Sequence, residues 1–224
     1  MKQMGLPISL DAKLLLNNFI GDKNQQVLKA VQQLFSQKNS AVLFIAGESS
    51  SGKTHLLQGC TFAALEQELS AVYIDIKQEL PEGLLSSLSA MDWVCIDNIE
   101  ALNTVQQQEL FDLYNQIKQT NTKLVVATNN LPNELDLLKD LKTRLSLAIV
   151  LTLEVLDDAQ KINIIKTKML DKNINIDDKI YAYLFKHLSR DLNDVLKAIE
   201  QLDQASLQQK NAISIPFVKQ VLKI

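Results

Sequence analysis

Gly47-Glu48-Ser49-Ser50-Ser51-Gly52-Lys53-Thr54 is the stretch on which the fold turns. Its spacing, Gly-x4-Gly-Lys-Thr, is that of a phosphate-binding loop. Small residues let successive backbone N–H groups curl around phosphate oxygens. Lys53 brings a point charge to the β and γ phosphates, and the Thr54 hydroxyl is a ligand for Mg²⁺. A short apolar strand pattern at 41–46 precedes the loop. A helix starting at about Lys53 follows it and aims its positive end at the anion. Gly47, Ser49, Ser50, Ser51, Gly52, Lys53 and Thr54 are therefore read as the cradle for a nucleoside di- or triphosphate, ADP or ATP.

Outward from the loop, apolar runs recur at 71–76, 93–96, 123–128 and 148–153. With 41–46 they make five, rich in Val and Ile and without alternation, as parallel strands covered on both faces are. Helical patterns lie between them: Leu110, Leu113, Tyr114 and Ile117 recur at i, i+3, i+4 and i+7. Strand–helix alternation predicts a doubly wound α/β fold with a five-stranded parallel sheet. Beyond Leu153 the pattern turns all-helical. Asp157 and Asp158 suit a helix start running to about 171, and Asp177 and Asp178 a second to about 187. Leu192, Val195, Leu196 and Ile199 share the face of a third, over 190–208. Ser214 can cap a last short helix, with Pro216 in its first turn. The expected organisation is a tail at 1–16 belonging to neither unit, a nucleotide-binding core at 17–154 and a small helical lid at 155–224.

A phosphate site of this kind needs an acid at the end of another buried strand. Trp93-Val94-Cys95-Ile96-Asp97 supplies Asp97 for the Mg²⁺ hydration shell. In hydrolytic relatives the next residue is often an acid that polarises the attacking water; here it is Asn98. An amide can orient water but cannot take its proton, so hydrolysis by this chain alone should be weak or absent. Glu100 is the nearby replacement. Asn129 ends the following strand, Leu124-Val125-Val126-Ala127-Thr128, and is read as a sensor beside the γ-phosphate.

Composition narrows the partners. The chain is 46% hydrophobic and 22% charged, enough for a substantial core, and its formal net charge is −3. No basic stripe is visible, so DNA contact is expected only through a partner. Cys60 and Cys95 sit in apolar runs and suit buried thiols of a reducing compartment. With no signal peptide or membrane span in the sequence, cytoplasmic residence is expected. Only two of the 23 basic residues are arginine, Arg144 and Arg190. In a chain that otherwise uses lysine, these are candidates for work that needs a planar guanidinium. His55 and His187 have no cysteines at ligand spacing and read as packing or surface residues for metal or acid–base purposes.

A phosphate loop, an Asp-ended strand, a strand-end Asn and a helical lid resemble the AAA+ ATPases. Within them the sequence is most similar to DnaA-type ATPase domains. Asn18-Phe19-Ile20-Gly21 with Asn24-Gln25 looks like the segment flanking the adenine, and Gly52-Lys53-Thr54-His55-Leu56-Leu57 is the DnaA-like form of the loop. Leu141-Lys142-Thr143-Arg144-Leu145 looks like the arginine-finger segment. The start, Gln3-Met4-Gly5-Leu6-Pro7-Ile8-Ser9-Leu10, resembles the peptide that docks in the bacterial sliding clamp. Pro7 pre-sets an extended backbone, Leu6, Ile8 and Leu10 offer alternate anchors, and Gln3 a polar contact.

Val94-Cys95-Ile96-Asp97-Asn98-Ile99-Glu100, Leu110-Phe111-Asp112-Leu113-Tyr114-Asn115 and Ile215-Pro216-Phe217-Val218-Lys219 extend the resemblance, over essentially the whole chain, to the Hda family of DnaA regulatory inactivators. That resemblance implies an ADP-binding regulator that assembles on the DNA-loaded clamp, the β subunit of DNA polymerase III. There it makes DnaA hydrolyse its ATP, so replication initiation is negatively regulated. It implies nucleotide contacts at Phe19, Ile20, His55 and Asn129, an arginine finger at Arg144 acting in trans, and no DNA-reading domain after the lid. The lid's sensor arginine would fall near Asn193, where this sequence departs from the family; Arg190, one turn earlier, is either its substitute or a surface residue. Two other readings stay open: an autonomous AAA+ ATPase of the helicase-loader type, and a nucleotide-gated clamp adaptor for another partner. Self-association into a dimer or larger oligomer is also open.

Overall fold

The computed structural model describes residues 10–12, 14–19, 24–171, 174, 176–188 and 192–224. The chain divides into two compact units, Met1–Val155 and Leu156–Ile224.

The first unit is built on a five-stranded sheet. Its strands are β1 (Ala41–Gly47), β2 (Ala71–Asp75), β3 (Trp93–Asp97), β4 (Lys123–Thr128) and β5 (Ile149–Leu153), in the order β2-β3-β4-β1-β5. Every neighbouring pair runs parallel. The helices are α1 (Gln25–Ser36), α2 (Lys53–Glu66), α3 (Thr104–Ile117) and α4 (Lys139–Ser146). Because side chains alternate along a strand, each strand feeds two cores. Leu43, Ile45, Trp93, Cys95, Val125 and Ala127 face one core, shared with Val31 and Leu34 of α1 and Leu56, Leu57 and Cys60 of α2. Phe44, Val94, Ile96, Leu124 and Val126 face the other, shared with Leu110 and Leu113 of α3 and Leu141 and Leu145 of α4. Trp93 is fully buried and stacks on Phe35, ring centres 4.1 Å apart. Cys60 and Cys95 are buried free thiols.

Two expectations are corrected here. β5 is not covered on both faces: it lies at the sheet edge beside β1, and Ile149 is 49% exposed. Both edge strands have uninterrupted apolar sequence, yet β2 keeps Val72, Tyr73 and Ile74 buried while β5 leaves Ile149 to solvent. The tail, expected at 1–16 and separate from the core, is also shorter than that. Leu10 and Leu16 pack against the core that α2 lines. The Asp11 N–H donates to Gln58 Oε1 at 2.8 Å. Leu16 opens a single 3-10 turn, Leu16–Asn18. Leu10 is therefore part of the folded unit, which removes it from the set of free clamp-facing anchors.

The chain then enters α1 through Asn24, 1% exposed, whose amide nitrogen donates to the Glu154 carbonyl (3.2 Å) and whose oxygen accepts the Glu154 N–H (2.9 Å). That pair ties the start of α1 to the chain just past β5.

The second unit is α5 (Asp158–Asp171), α6 (Asp178–His187), α7 (Leu192–Gln209) and α8 (Ile215–Leu222). Ile165, Leu184, Val195, Ile199, Leu202 and Val218 close its own apolar core. Asp177 and Ser214 cap α6 and α8, each accepting from a backbone N–H of the first turn, and Pro216 stands in the first turn of α8.

Gly59 in α2 tests how the N-terminal segment is seated. A Cβ there would lie 2.9 Å from the Leu16 backbone nitrogen and 3.0 Å from Leu16 Cδ2. In an open helix Gly→Ala stabilises by about 1 kcal/mol. Overpacking costs about 1–3 kcal/mol. Gly59→Ala is expected to lose net stability in urea unfolding; a gain of about 1 kcal/mol would mean that Leu16 does not pack there.

Candidate nucleotide-binding site

The loop between β1 and α2 is shaped by two left-handed residues, Ser50 at φ 61° and Gly52 at φ 100°. Gly52 tolerates this without a Cβ penalty. It also leaves room for the Phe19 ring, which a Cβ would meet at 3.1 Å. α2 starts at Lys53, so the unpaired N–H groups of its first turn open onto the loop. The Lys53 ammonium lies within the loop and donates to the carbonyls of Gly47 (2.7 Å) and Glu48 (2.8 Å). Burial lowers its pKa, against the opposing pull of Asp97 and Glu100. Ser51 Oγ is buried without a hydrogen-bond partner among the described residues. An ammonium, an unsatisfied hydroxyl and a helix N-terminus in one loop fit a phosphate anion.

Beside the loop, β3 ends in Asp97, 1% exposed. Its Oδ2 accepts from Thr54 Oγ1 at 2.5 Å and from the Tyr73 hydroxyl at 3.1 Å; its Oδ1 accepts the Asn98 N–H at 2.9 Å. Burial raises the Asp97 pKa, while the hydrogen bonds from Thr54, Tyr73 and Asn98 pull it down. The Tyr73 hydroxyl is pushed up by burial and by the charges of Asp97 and Asp75. Thr54 and Asp97 thus present a hydroxyl and a carboxylate oxygen together, the hard donors that suit Mg²⁺ bound mainly by phosphate and water. Among the described residues no group of three or more His, Cys, Asp or Glu could hold a metal by itself.

Asn98 occupies the position after Asp97 in the left-handed region, at φ 59°. Its side chain is engaged across the ends of β2 and β3. The amide nitrogen donates to Asp75 Oδ1 at 2.7 Å, and the oxygen accepts from Lys77 Nζ at 2.8 Å. Asn129, just past β4, donates from Nδ2 to Glu100 Oε1 at 2.9 Å. His55 and Phe19 meet edge to face with ring centres 5.3 Å apart, and the Leu15 carbonyl accepts from His55 Nε2 at 2.9 Å. Both residues thus hold the N-terminal segment against α2, at the loop's flank. Gln3, Leu6, Pro7, Ile8, Ile20 and Arg190 lie outside the described residues, as does the side chain of Asn193.

Asp75, Tyr73 and Lys77 went unremarked in the sequence, although a signal was there. Val72-Tyr73-Ile74-Asp75 repeats Val94-Cys95-Ile96-Asp97 at three of its four positions, and the two strands pair in that register, Asp75 beside Asp97. Asn24 had no comparable signal, since its partner is the backbone of a residue 130 positions away.

Comparison with known proteins follows the same division of the chain. The family described as the bacterial DnaA ATPase domain matches residues 10–152, and the one described as the Hda lid domain matches residues 158–222. An uncharacterized protein of Haemophilus influenzae is 31% identical over 229 residues, covering 100% of this chain and 99% of its own. Domain III of the Thermotoga maritima replication initiation protein DnaA shares the fold with a TM-score of 0.79 at 19% identity, over 96% of this chain and 98% of that one. AMPPCP-bound DnaA from Aquifex aeolicus shares it with a TM-score of 0.72 at 23% identity, over 87% of this chain and 66% of that one.

The strand order, the phosphate loop at the end of β1, the acid at the end of β3 and the helical second unit define an AAA+ nucleotide-binding protein. The DnaA match alone spans well over half of the sequence. The chain belongs to the DnaA-related AAA+ family, with a lid of the Hda type, and is a DnaA-related replication regulator. No helix among the described residues is long and apolar enough to cross a membrane.

Asp97→Asn separates structure from ligand binding. An amide can keep its oxygen on the Asn98 N–H and offer its nitrogen to two hydroxyls that can rotate to accept. The cost of burying a charge disappears. Thermal unfolding without nucleotide is expected at or above the wild-type temperature, with loss of the extra stabilisation that Mg²⁺ gives in the presence of ADP. A large drop in the ligand-free protein, with that Mg²⁺ effect retained, would reverse the assignment.

Proposed function

We propose that this protein holds ADP–Mg²⁺ in its own site, docks on the DNA-loaded sliding clamp through its N-terminal peptide, and stimulates hydrolysis of the ATP bound to DnaA. It thereby restrains replication initiation. The site supplies a phosphate cradle at 47–54, with Lys53 as the point charge and Thr54 and Asp97 as the residues that would hold Mg²⁺. The metal would neutralise phosphate charge there.

The observation that carries the reading is the state of Arg144. It stands in the last turn of α4, half-buried, on a helix whose Leu141 and Leu145 are fully buried. Among the described residues it pairs with no carboxylate: the ion pair found there is Lys166 with Asp178, in the second unit. The guanidinium is near enough to Tyr114 to oppose the upward shift that burial imposes on the phenol. A guanidinium on a rigid stem with its donors unspent is what a finger for another protein's γ-phosphate requires. Such a finger accelerates phosphoryl transfer by about 10³–10⁵-fold in GTPase-type systems. Asp140, a turn earlier on the same helix, does not neutralise it.

Clamp docking is supported by sequence alone, through Gln3, Leu6, Pro7 and Ile8. Tethering at the clamp raises local concentration without adding any contact to DnaA. The net charge of −3 suits a protein that reaches DNA only through that partner.

Two variants divide the activities. Arg144→Ala is expected to keep clamp capture and ADP affinity and to lose at least about 100-fold of the stimulation of DnaA hydrolysis; retained stimulation would falsify the finger role. The double variant Gln3→Ala, Leu6→Ala is expected to abolish capture by immobilised clamp with ADP affinity intact. A fall in ADP affinity instead would make those residues part of the fold.

A further inference from the structure

We propose that Glu100, and not the residue after Asp97, is the carboxylate that takes the proton of the attacking water in this chain's own site. The proposal rests on the nucleotide-site reading above and names the residue that limits its chemistry.

Three observations carry it. The Asn98 side chain is committed elsewhere, with both polar atoms bound at 2.7 and 2.8 Å to Asp75 and Lys77. It latches the ends of β2 and β3 together, and an acid at 98 would meet Asp75 rather than a phosphate. Glu100 sits in the 3-10 turn Ile99–Ala101 that leaves β3. Its Oε1 is held by Asn129, and its Oε2 is buried with no partner among the described residues. Asn129 follows β4, which pairs with β3 on one side and with β1 on the other, where the register sets Thr128 beside Ala46. The Asn129–Glu100 pair is thereby brought between the acid end of β3 and the phosphate loop. Consistent with this, the Glu100 charge acts on the Lys53 ammonium.

The chemistry balances with water alone. Glu100 Oε2 accepts a proton from water as the water oxygen bonds to the γ-phosphorus. The bond from that phosphorus to the bridging oxygen breaks, and its electron pair stays on the oxygen of the departing ADP. The proton then passes from Glu100 to the released phosphate. Asn129 is a positioning residue: it occupies one carboxylate oxygen and leaves the other to the water. One slow turnover suffices to leave ADP in the site, so a protein loaded with ATP converts itself to the ADP-bound form.

The test is single-turnover hydrolysis of radiolabelled ATP with Mg²⁺ and protein in excess, beside a separate titration of ATP affinity. Wild type is expected to hydrolyse bound ATP faster than protein-free solution does. Glu100→Gln is expected to slow this at least about 100-fold, the usual worth of a general base, with ATP affinity within about three-fold of wild type. Washed Glu100→Gln protein then retains ATP where wild type retains ADP. Asn129→Ala is expected to slow turnover about ten-fold, in line with loss of orientation alone. Asn98→Asp is expected to give no acceleration and to unfold at a lower temperature, since it sets a second carboxylate against Asp75. The proposal is overturned if Glu100→Gln keeps the wild-type rate, if wild type is no faster than solution, or if Asn98→Asp accelerates turnover ten-fold. A wild-type protein that binds ADP but no ATP also overturns it; one that binds neither nucleotide overturns the site reading itself, and titrating both nucleotides tells the two apart.

Discussion

The 2.5 Å hydrogen bond from Thr54 Oγ1 to Asp97 Oδ2 joins the two elements on which the core depends. Thr54 belongs to the first turn of α2, which leaves the phosphate loop; Asp97 ends β3, two strands away from β1 in the sheet. Bringing them together requires β4 to lie between β1 and β3, and α2 to lie across the sheet on one of its two cores. It also requires the left-handed turn at Ser50 and Gly52, which swings the chain from strand to helix. The cost is a carboxylate almost fully removed from water, met by three hydrogen bonds and by the nearby Lys53 charge. A structure selected for stability alone has little use for that arrangement. It suits a ligand that brings a cation and phosphates, as the proposed function requires.

Around this contact, three carboxylates at neighbouring strand ends have been given different surroundings, and hence different work. Asp97 is fully hydrogen-bonded by neutral donors and faces the Thr54 hydroxyl. Asp75 accepts from the Asn98 amide and the Lys77 N–H and latches β2 to β3. Glu100 has one oxygen held by Asn129 and the other without a partner among the described residues. The environment, more than the residue type, separates the proposed metal seat, a structural latch and the proposed proton acceptor. Arg144, on α4 of the other core, pairs with no carboxylate among the described residues, the state that the proposed finger requires.

Much of this was legible in the sequence because it rests on local rules. Gly-x4-Gly-Lys-Thr after an apolar run dictates a strand, a left-handed turn and a helix. The Val- and Ile-rich runs gave all five strands within a residue or two at each end, and Asp177, Ser214 and Pro216 marked the starts of lid helices. What was hidden depends on contacts between distant residues. The exposure of Ile149 depends on what packs over β5, which apolar content cannot reveal. Leu16 packs on α2 because Gly59 leaves room for its backbone. Asn98 was legible as a missing acid, but its latch to Asp75 depends on strand register. Glu100 could be named as a candidate from its spacing; that Asn129 holds it became visible only once β3 and β4 were paired.

The account turns on which nucleotide resides in this chain. The most direct measurement is the nucleotide released by denaturing protein purified without added nucleotide, identified and counted per chain by chromatography. A holder of ADP whose consequential hydrolysis occurs in a partner's site predicts close to one ADP per chain and little ATP. Protein that emerges empty, or carrying ATP, would contradict it.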